Sequence, residues 1–302
     1  MTRNSRALVE VHVATLLYGF IGPFGKAVDL NPHQIVFWRT SLAAVVLLVI
    51  ARRLKSHTTV KNWADLATFT AIAGLLAVHW VLFFKSIKVS TVAIGLVTTY
   101  TYPVLMVFLE SWFFNLRLKA LDFASAVAVL VGIYYLAPEF DLSDATFQGV
   151  IYGVAAGAMI PFIVLIRKKR IIDSYNSWDI SAYEMGIAGL ILLPFMLYDG
   201  SLFHMPSSRD LLLLVMLGVV LTGFARVLFV DSQRHLSGKV VGITLVLEVV
   251  YGVILALILL AAIPSQREII GGLIIVSVAL FESLRSRRPE TSGTETQKEN
   301  KP

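Results

Sequence analysis

The sequence predicts an all-α integral membrane protein of ten transmembrane helices, arranged as two inverted five-helix repeats. The chain has 302 residues, of which 57% are hydrophobic and only 15% are charged; a soluble domain is roughly 45–50% apolar and about 25% charged. Apolar runs of about 20 residues, the length that crosses a bilayer, recur ten times. They cover approximately residues 8–27, 33–53, 64–84, 91–113, 120–137, 147–166, 178–198, 211–230, 240–260 and 268–284.

The segments between and beyond these runs are short or polar. The connection at 115–120 leaves no room for a soluble domain between two spans. The first run continues at full spanning length after "MTRNSR", so we expect an uncleaved first span rather than a signal peptide. Residues 285–302 are polar and charged, which predicts a disordered tail because such a segment has little apolar area to bury.

Basic residues predict the orientation of the chain. Of the 26 lysines and arginines, nineteen fall on the side of the N-terminus and five on the opposite side. Because cytoplasmic loops carry the excess of Lys and Arg, both termini are predicted to be cytoplasmic. The net charge of +6 then reflects topology, and we expect no nucleic-acid partner, since no soluble face gathers these charges.

The residue types and motifs of the sequence give little support for an enzyme. The chain has no cysteine and its six histidines are scattered, so we expect no disulfide, no thiolate metal site and no cysteine nucleophile. It contains no P-loop, no GxGxxG after a strand, no HExxH and no GxSxG. We therefore expect no cofactor, no metal and no catalytic residues.

The two halves of the chain resemble each other. A shift of 146 residues without gaps superimposes polar and aromatic positions of the third to fifth spans on the second half, and "GPF" at 22–24 aligns separately with "IPF" at 160–162. Five spans per half is an odd number, so the second half is inverted in the membrane, as in many secondary transporters whose substrate site lies near the midplane. The matched pairs are Phe83 with Phe229, Ser86 with Ser232, Lys88 with Arg234, Thr98 with Thr244 and Tyr102 with Glu248.

These features resemble the EamA family of the drug/metabolite transporter superfamily. The similar features are two inverted five-span halves, cytoplasmic termini, a first span with Gly and Pro in each half, and polar residues around a proline position in the fourth span. The resemblance implies one EamA-like repeat at 7–137 and another at 147–284. It also implies a multi-pass transporter of the bacterial inner membrane, and it points to the YddG-like branch of aromatic-amino-acid exporters. Val249 departs from the pattern, because it stands where the second half would carry the proline matching Pro103.

Polar residues halfway along two matched spans are the candidate substrate site. The stretch "GLVTTYTYPVLMV" at 95–107 carries Thr98 and Tyr102 on one face if it is a continuous helix. Thr244 and Glu248 occupy the matching face of the second half. Together with Tyr100 they would give a central cavity with hydroxyls, aromatic walls and one carboxylate. The alternative is that the threonines bond their own i−4 carbonyls and the tyrosines pack.

Glu248 is the most informative of these residues, because an acidic side chain at the centre of a span costs about 2.5–3.5 kcal/mol on insertion. It is expected to carry a proton, to hold the ammonium of a substrate, or to pair with Arg226. Arg226 is a further candidate for the substrate site. The alternative is that its side chain extends to the membrane interface. Arg39 and Glu184 occupy the outer thirds of their spans and are expected to extend to headgroups or loops.

Further candidates concern the cavity mouth and the hinges. His79 and Trp80 are expected either to line the mouth or to pack as an interfacial pair. Four residues, in the first span of each half, are expected to act as hinges or to allow static kinks and close packing; these are Gly22, Pro23, Gly157 and Pro161.

The predicted function is export of amino acids or similar small metabolites by alternating access. The expected partners are a small-molecule substrate and the lipid bilayer, with the protein a monomer or weak homodimer. Glu248 among aromatic residues would also suit efflux of hydrophobic cations or drugs. An intramembrane enzyme or a receptor is a third alternative.

Overall fold

The computed structural model describes residues 3–53, 59–113, 115, 117–137 and 141–285. These residues form helices and turns and include no β-strand, which confirms the all-α prediction. Of the predicted disordered tail, residues 286–302 lie outside the described residues. The helices are α1 (Arg3–Ala27), α2 (Pro32–Arg53), α3 (Trp63–Val89), α4 (Val92–Thr99), α5 (Tyr102–Phe113), α6 (Ala120–Leu136), α7 (Ala145–Arg170), α8 (Ser177–Tyr198), α9 (Ser208–Val215), α10 (Ala225–His235), α11 (Gly238–Leu260) and α12 (Gln266–Arg285).

Eight segments of the described chain are long and apolar enough to cross a membrane. Six are single helices, and two are composite, since α4 continues into α5 and α9 continues through a π-helical segment, Met216–Phe224, into α10. The two other predicted spans correspond to α6, an apolar helix of 17 residues, and α12, which has 20 residues and charged residues near both ends. The count of ten spans stays a prediction.

The helices of the two halves pack against each other. α3 packs on α7, and α1 packs on α10 and α11. Two further pairs, α2 with α8 and α6 with α12, also join one half to the other. The core between α1, α2, α3, α7, α8 and α10 is mainly apolar, so charged groups inside it must find their partners there.

The stretch at 95–107 is not one continuous helix. α4 ends at Thr99, Tyr100 and Thr101 form a turn, and α5 begins at Tyr102. The cause is Pro103, which has no N–H to donate to the carbonyl of Thr99 and whose ring clashes with that carbonyl. The expectation that Thr98 and Tyr102 share one helix face is therefore wrong. In the second half α11 is unbroken, with Val249 at the position that matches the proline.

The π-helical segment brings two spans close together. A Cβ atom at Gly218 would lie 2.7 Å from the carbonyl oxygen of Arg39, so only glycine lets α2 approach this closely. The extra residue per turn of a π-helix also rotates the following helix, and such segments are frequent at functional sites. The segment immediately precedes Arg226 on α10 and therefore sets the direction of its side chain.

The four hinge candidates lie at packing contacts inside unbroken helices. Pro23 lies within α1 and Pro161 within α7. A Cβ atom at Gly22 would lie 2.9 Å from Val92, and one at Gly157 would lie 2.5 Å from the carbonyl oxygen of Thr99. The close-packing alternative thus has direct geometric support, and a hinge function stays a prediction.

Candidate functional site

A cluster of buried charges joins α7, α8 and α10. Glu184 is 0% exposed and accepts hydrogen bonds from two arginines. Arg167 donates through Nε (2.8 Å) and Nη2 (3.2 Å), and Arg226 donates through Nε (3.0 Å) and also through Nη2. One carboxylate therefore holds two guanidinium groups with charge-assisted bonds, the strongest kind of hydrogen bond in proteins.

This cluster corrects three expectations. Glu184 does not extend to headgroups or loops, and Arg226 neither extends to the interface nor pairs with Glu248, because it is bound to Glu184 inside the bundle. Arg167, counted above among the cytoplasmic charges, is 2% exposed. Ser177, Ser181 and Glu184 lie at i, i+4 and i+7 of α8. This polar stripe is the sequence signal that places Glu184 on an inward face.

Arg39 on α2 is also completely buried, contrary to the expectation that it extends to headgroups. Its Cζ atom lies 4.4 Å from the ring centre of Trp80 and 5.1 Å from that of Phe84. Ile35 and Ala43, one helical turn on either side, are fully buried too, so this face of α2 points into the bundle. The prediction from depth along the span is therefore wrong for Arg39, because the helix face determines the direction of its side chain.

Trp80 lies near both Arg39 and one of the arginines that bind Glu184. Besides Arg39, it has the Cζ atom of Arg226 at 5.6 Å from its ring centre. His79 is half-buried, and its Nδ1 donates to the carbonyl of Ala156 on α7 (2.9 Å). Of the predicted pair, Trp80 thus lies among buried charges, whereas His79 packs against the backbone of a neighbouring helix.

Glu248 forms a second, acidic group with the tyrosines of the broken span. The hydroxyl of Tyr100 donates to Oε2 of Glu248 (2.8 Å) and also contacts the carbonyl of Leu245. The ring of Tyr102 lies 5.5 Å from that of Tyr100. The turn after α4 therefore brings Tyr102 against Tyr100, the partner of Glu248, whereas a continuous helix would point residues i and i+2 in nearly opposite directions.

The two threonines have local partners. Thr98 donates to the carbonyl of Ile94 (2.6 Å), and Thr244 donates to the carbonyl of Val240 (3.0 Å). Both are i−4 bonds within the same helix, the alternative considered above. Their hydroxyls are satisfied in this structure, so any substrate contact would compete with these bonds.

Tyr18 on α1 lies near both the acidic group and the basic group. Its hydroxyl lies within electrostatic range of Arg226, Glu248, Arg167 and Arg39, and its ring packs against Phe229 at 5.7 Å. Tyr18 is half-buried. These four charges come from four different helices, α2, α7, α10 and α11.

Two cavities of the described chain lie elsewhere. One, of about 330 Å³, is an apolar groove between α5 and α7 that includes Phe108 and Pro161. The other, of about 310 Å³, lies among the ends of α4, α6 and α12 and includes Asp144 and Arg267. Neither includes a residue of the charged groups, and no three His, Cys, Asp or Glu side chains of the described chain come together to hold a metal ion.

A bundle of apolar helices that encloses ion pairs and unpaired charges is typical of a polytopic membrane transporter. Residues 7–137 and 147–283 match the sequence profile of the EamA-like transporter family. The chain belongs to this family, within the drug/metabolite transporter superfamily, which confirms the resemblance to the EamA family.

Known relatives agree with this assignment. The uncharacterized transporter YxxF of Bacillus subtilis is 24% identical over 89% of this chain and 86% of its own length. The uncharacterized inner membrane transporter YicL of Salmonella typhimurium is 23% identical over 95% and 98%. A solved crystal structure with 20% identity covers 97% of this chain and 100% of its own, with a TM-score of 0.66, and so shares the fold. The protein is a multi-pass membrane transporter of the EamA type.

Proposed function

We propose that the protein exports amino acids, or similar small metabolites, across the bacterial inner membrane by alternating access through a central cavity. The observation that carries this proposal is that the carboxyl group of Glu248 and the guanidinium groups of Arg39 and Arg226 all lie within electrostatic range of the hydroxyl of Tyr18. An amino acid carries an ammonium and a carboxylate on one carbon atom, so it matches a site with both kinds of charge.

The aromatic residues favour a substrate with a large apolar side chain. Trp80, Tyr100 and Tyr102 lie next to the two charged groups. Aromatic rings offer a large contact area and bind cations on their faces. This composition supports the YddG-like branch of aromatic-amino-acid exporters as the nearest functional analogy.

The packing of the halves supports ten spans in two inverted repeats. If α1 and α7 are equivalent, then the contact of α1 with α10 corresponds to that of α7 with α3, and the contact of α1 with α11 to that of α7 with α4. Exchange of the two halves turns the pair α2–α8 into itself, and it does the same for the pair α6–α12. Exchange of the halves thus preserves the contacts, as expected for repeats related by a two-fold axis in the membrane plane.

Basic residues and the name of the Salmonella relative support an inner-membrane protein with cytoplasmic termini. Reporters fused after Arg170 and at the C-terminus should then report a cytoplasmic location, and reporters after Asp141 and His204 a periplasmic one. A periplasmic C-terminus would require an odd total of spans and would exclude two inverted five-span repeats.

A conformational cycle and a monomeric unit complete the proposal. We propose that the functional unit is a monomer or a weak homodimer. Gly22 and Gly157 lie at the contacts of α1 and α7 with α4, and Pro23 and Pro161 lie in the same two helices. We propose that these contacts change when the bundle opens alternately to its two sides.

Efflux of hydrophobic cations is the second candidate, because Glu248 is flanked by tyrosines. The buried arginines argue against it. Three guanidinium groups and the carboxylate of Glu184 leave a positive charge that repels a cation.

Counterflow into liposomes that contain the purified protein tests these proposals. Saturable exchange of unmodified labelled amino acids is expected, with little exchange of cationic dyes. Exchange of dyes without amino acids would favour the second candidate. Formation of a new product would indicate an enzyme, and binding without flux a receptor; either result would overturn the proposal.

A further inference from the structure

Arg39 is buried in an unusual way. Its Nε, Nη1 and Nη2 atoms have no hydrogen-bond partner among the described residues, and the side chain is 0% exposed. A guanidinium group carries five N–H donors, and buried polar groups nearly always have partners because desolvation of an unpaired one is costly. The cost is greater for a charge. Such an exception calls for a specific explanation.

The contacts of Arg39 orient its guanidinium group without satisfying it. Trp80 and Phe84 interact with the faces of the group, at 4.4 and 5.1 Å. Ring faces do not replace the acceptors that its N–H edges require. The backbone of Arg39 packs closely against Gly218, since a Cβ atom there would lie 2.7 Å from the carbonyl oxygen of Arg39. The group is therefore held in place while its donors are unused.

Nearby charges make an anion the natural partner. Arg226 lies within electrostatic range of Arg39, but it already donates to Glu184 together with Arg167. Glu184 thus has two guanidinium groups to balance, and it makes no hydrogen bond to Arg39. An arriving carboxylate would compensate one of the excess positive charges and accept two parallel hydrogen bonds from Arg39.

We propose that Arg39 binds the carboxylate of the transported substrate, with Trp80 and Phe84 as residues that position it. This inference rests on the proposed function and specifies which group of the substrate is recognised and by which residue. Glu248, which like Arg39 lies within electrostatic range of the Tyr18 hydroxyl, then takes the ammonium group. Because Arg39 is enclosed in this structure, the carboxylate reaches it when the bundle opens.

Binding to the purified full-length protein tests this assignment without relying on transport. Isothermal titration with each of the twenty L-amino acids is followed, for those that bind, by titration with the carboxamide and the decarboxylated amine. Benzoate serves as a carboxylate without an ammonium group. The variants are Arg39→Gln, Arg39→Lys and, as a matched control, Arg6→Gln, which alters an exposed arginine paired with Glu10.

The expected result is that wild type binds an amino acid but binds its carboxamide roughly 10- to 100-fold more weakly, the loss expected for hydrogen bonds to a charged group. Arg39→Gln should show the same loss for the acid and no difference between acid and amide. Arg39→Lys should fall in between, because lysine keeps the charge but not the bidentate geometry. Arg6→Gln should match wild type.

Stability provides an independent readout. Arg39→Gln removes an unpartnered buried charge, so its melting temperature without substrate should equal or exceed that of wild type. A large decrease would indicate that Arg39 is a structural residue and would overturn the inference.

The remaining outcomes separate the two proposals. Amino-acid binding that is unchanged in Arg39→Gln, or equal for acid and amide, would refute the role of Arg39 alone. Binding of benzoate that depends on Arg39, without binding of any amino acid, would refute the proposed substrate and retain the carboxylate site. If neither amino acids nor benzoate bind wild type, both proposals are wrong.

Discussion

Glu184 is the residue whose replacement should most affect the stability of the bundle. Replacement by glutamine keeps the size of the side chain and one acceptor oxygen but removes the negative charge. Arg167 and Arg226 would then remain buried with no carboxylate between them, since both are less than one-tenth exposed and both bind this carboxylate. The two guanidinium groups would also repel each other across the glutamine.

The expected loss of stability follows from the cost of unpaired buried charges. Removal of one partner of a buried ion pair typically costs about 3–5 kcal/mol. At about 2–4 °C per kcal/mol for a chain of moderate size, the melting temperature should fall by roughly 6–20 °C. A loss of this size is a large fraction of the total stability of a typical protein, which is about 5–15 kcal/mol.

Thermal unfolding in detergent, followed by intrinsic tryptophan fluorescence, measures this effect. Glu110→Gln is the matched control, because it makes the same chemical change at a half-buried glutamate of α5 outside the cluster, and its melting temperature should stay within about 2 °C of wild type. A combined replacement, Arg167→Met with Glu184→Leu and Arg226→Met, should recover stability, since apolar residues of similar volume often replace a buried ion cluster without loss.

An unchanged melting temperature in Glu184→Gln would contradict this reasoning. It would mean that water or a movement of the helices solvates the arginines, and that the buried cluster does not contribute to the stability of the fold.

Three further changes test the broken span and its surroundings. Glu248→Gln should bind substrate roughly 10-fold or more weakly, because it loses the charge that meets the ammonium group, while its melting temperature changes little; equal affinity in a binding titration would rule out that contact. Gly157→Ala should be destabilising, because its Cβ atom would lie 2.5 Å from the backbone oxygen of Thr99. Gly186→Ala is the control, because the nearest neighbour of its Cβ atom is at 3.6 Å, and it should be neutral or stabilising in the same thermal unfolding experiment. Equal melting temperatures of the two variants would show that α7 moves away easily. Pro103→Ala should restore a backbone donor, favour a continuous helix and slow counterflow without unfolding the protein; unchanged flux would show that the turn has no part in transport.

The sequence by itself determined the class of protein and most of its helices. Inside a bilayer every backbone group must be hydrogen-bonded within the chain, so long apolar runs can only be helices. The same kind of local rule accounts for the turn at Tyr100 and Thr101, because Pro103 lacks the N–H that would continue the helix. Hydropathy alone does not detect this break, because the residues on both sides of it belong to one apolar run.

The family could also be inferred from the sequence, and for a related reason. The apolar spans and the placement of glycine and proline are distributed along the whole chain, so the resemblance to the EamA family does not depend on any single contact. The acidic residue of the candidate site, Glu248, was found in the same way, because a carboxyl group at mid-span is costly wherever it points.

Only the tertiary structure decided how the other buried charges are paired. We judged Arg39 and Glu184 by their depth along a span, whereas burial depends on which face of the helix points inward and on what the neighbouring helices offer there. Glu184 pairs with arginines 17 and 42 residues away along the chain, and Arg39 stacks on Trp80 while its donors have no described partner. Hydropathy gives position along the helix axis but not rotation about it, and partner choice depends on that rotation.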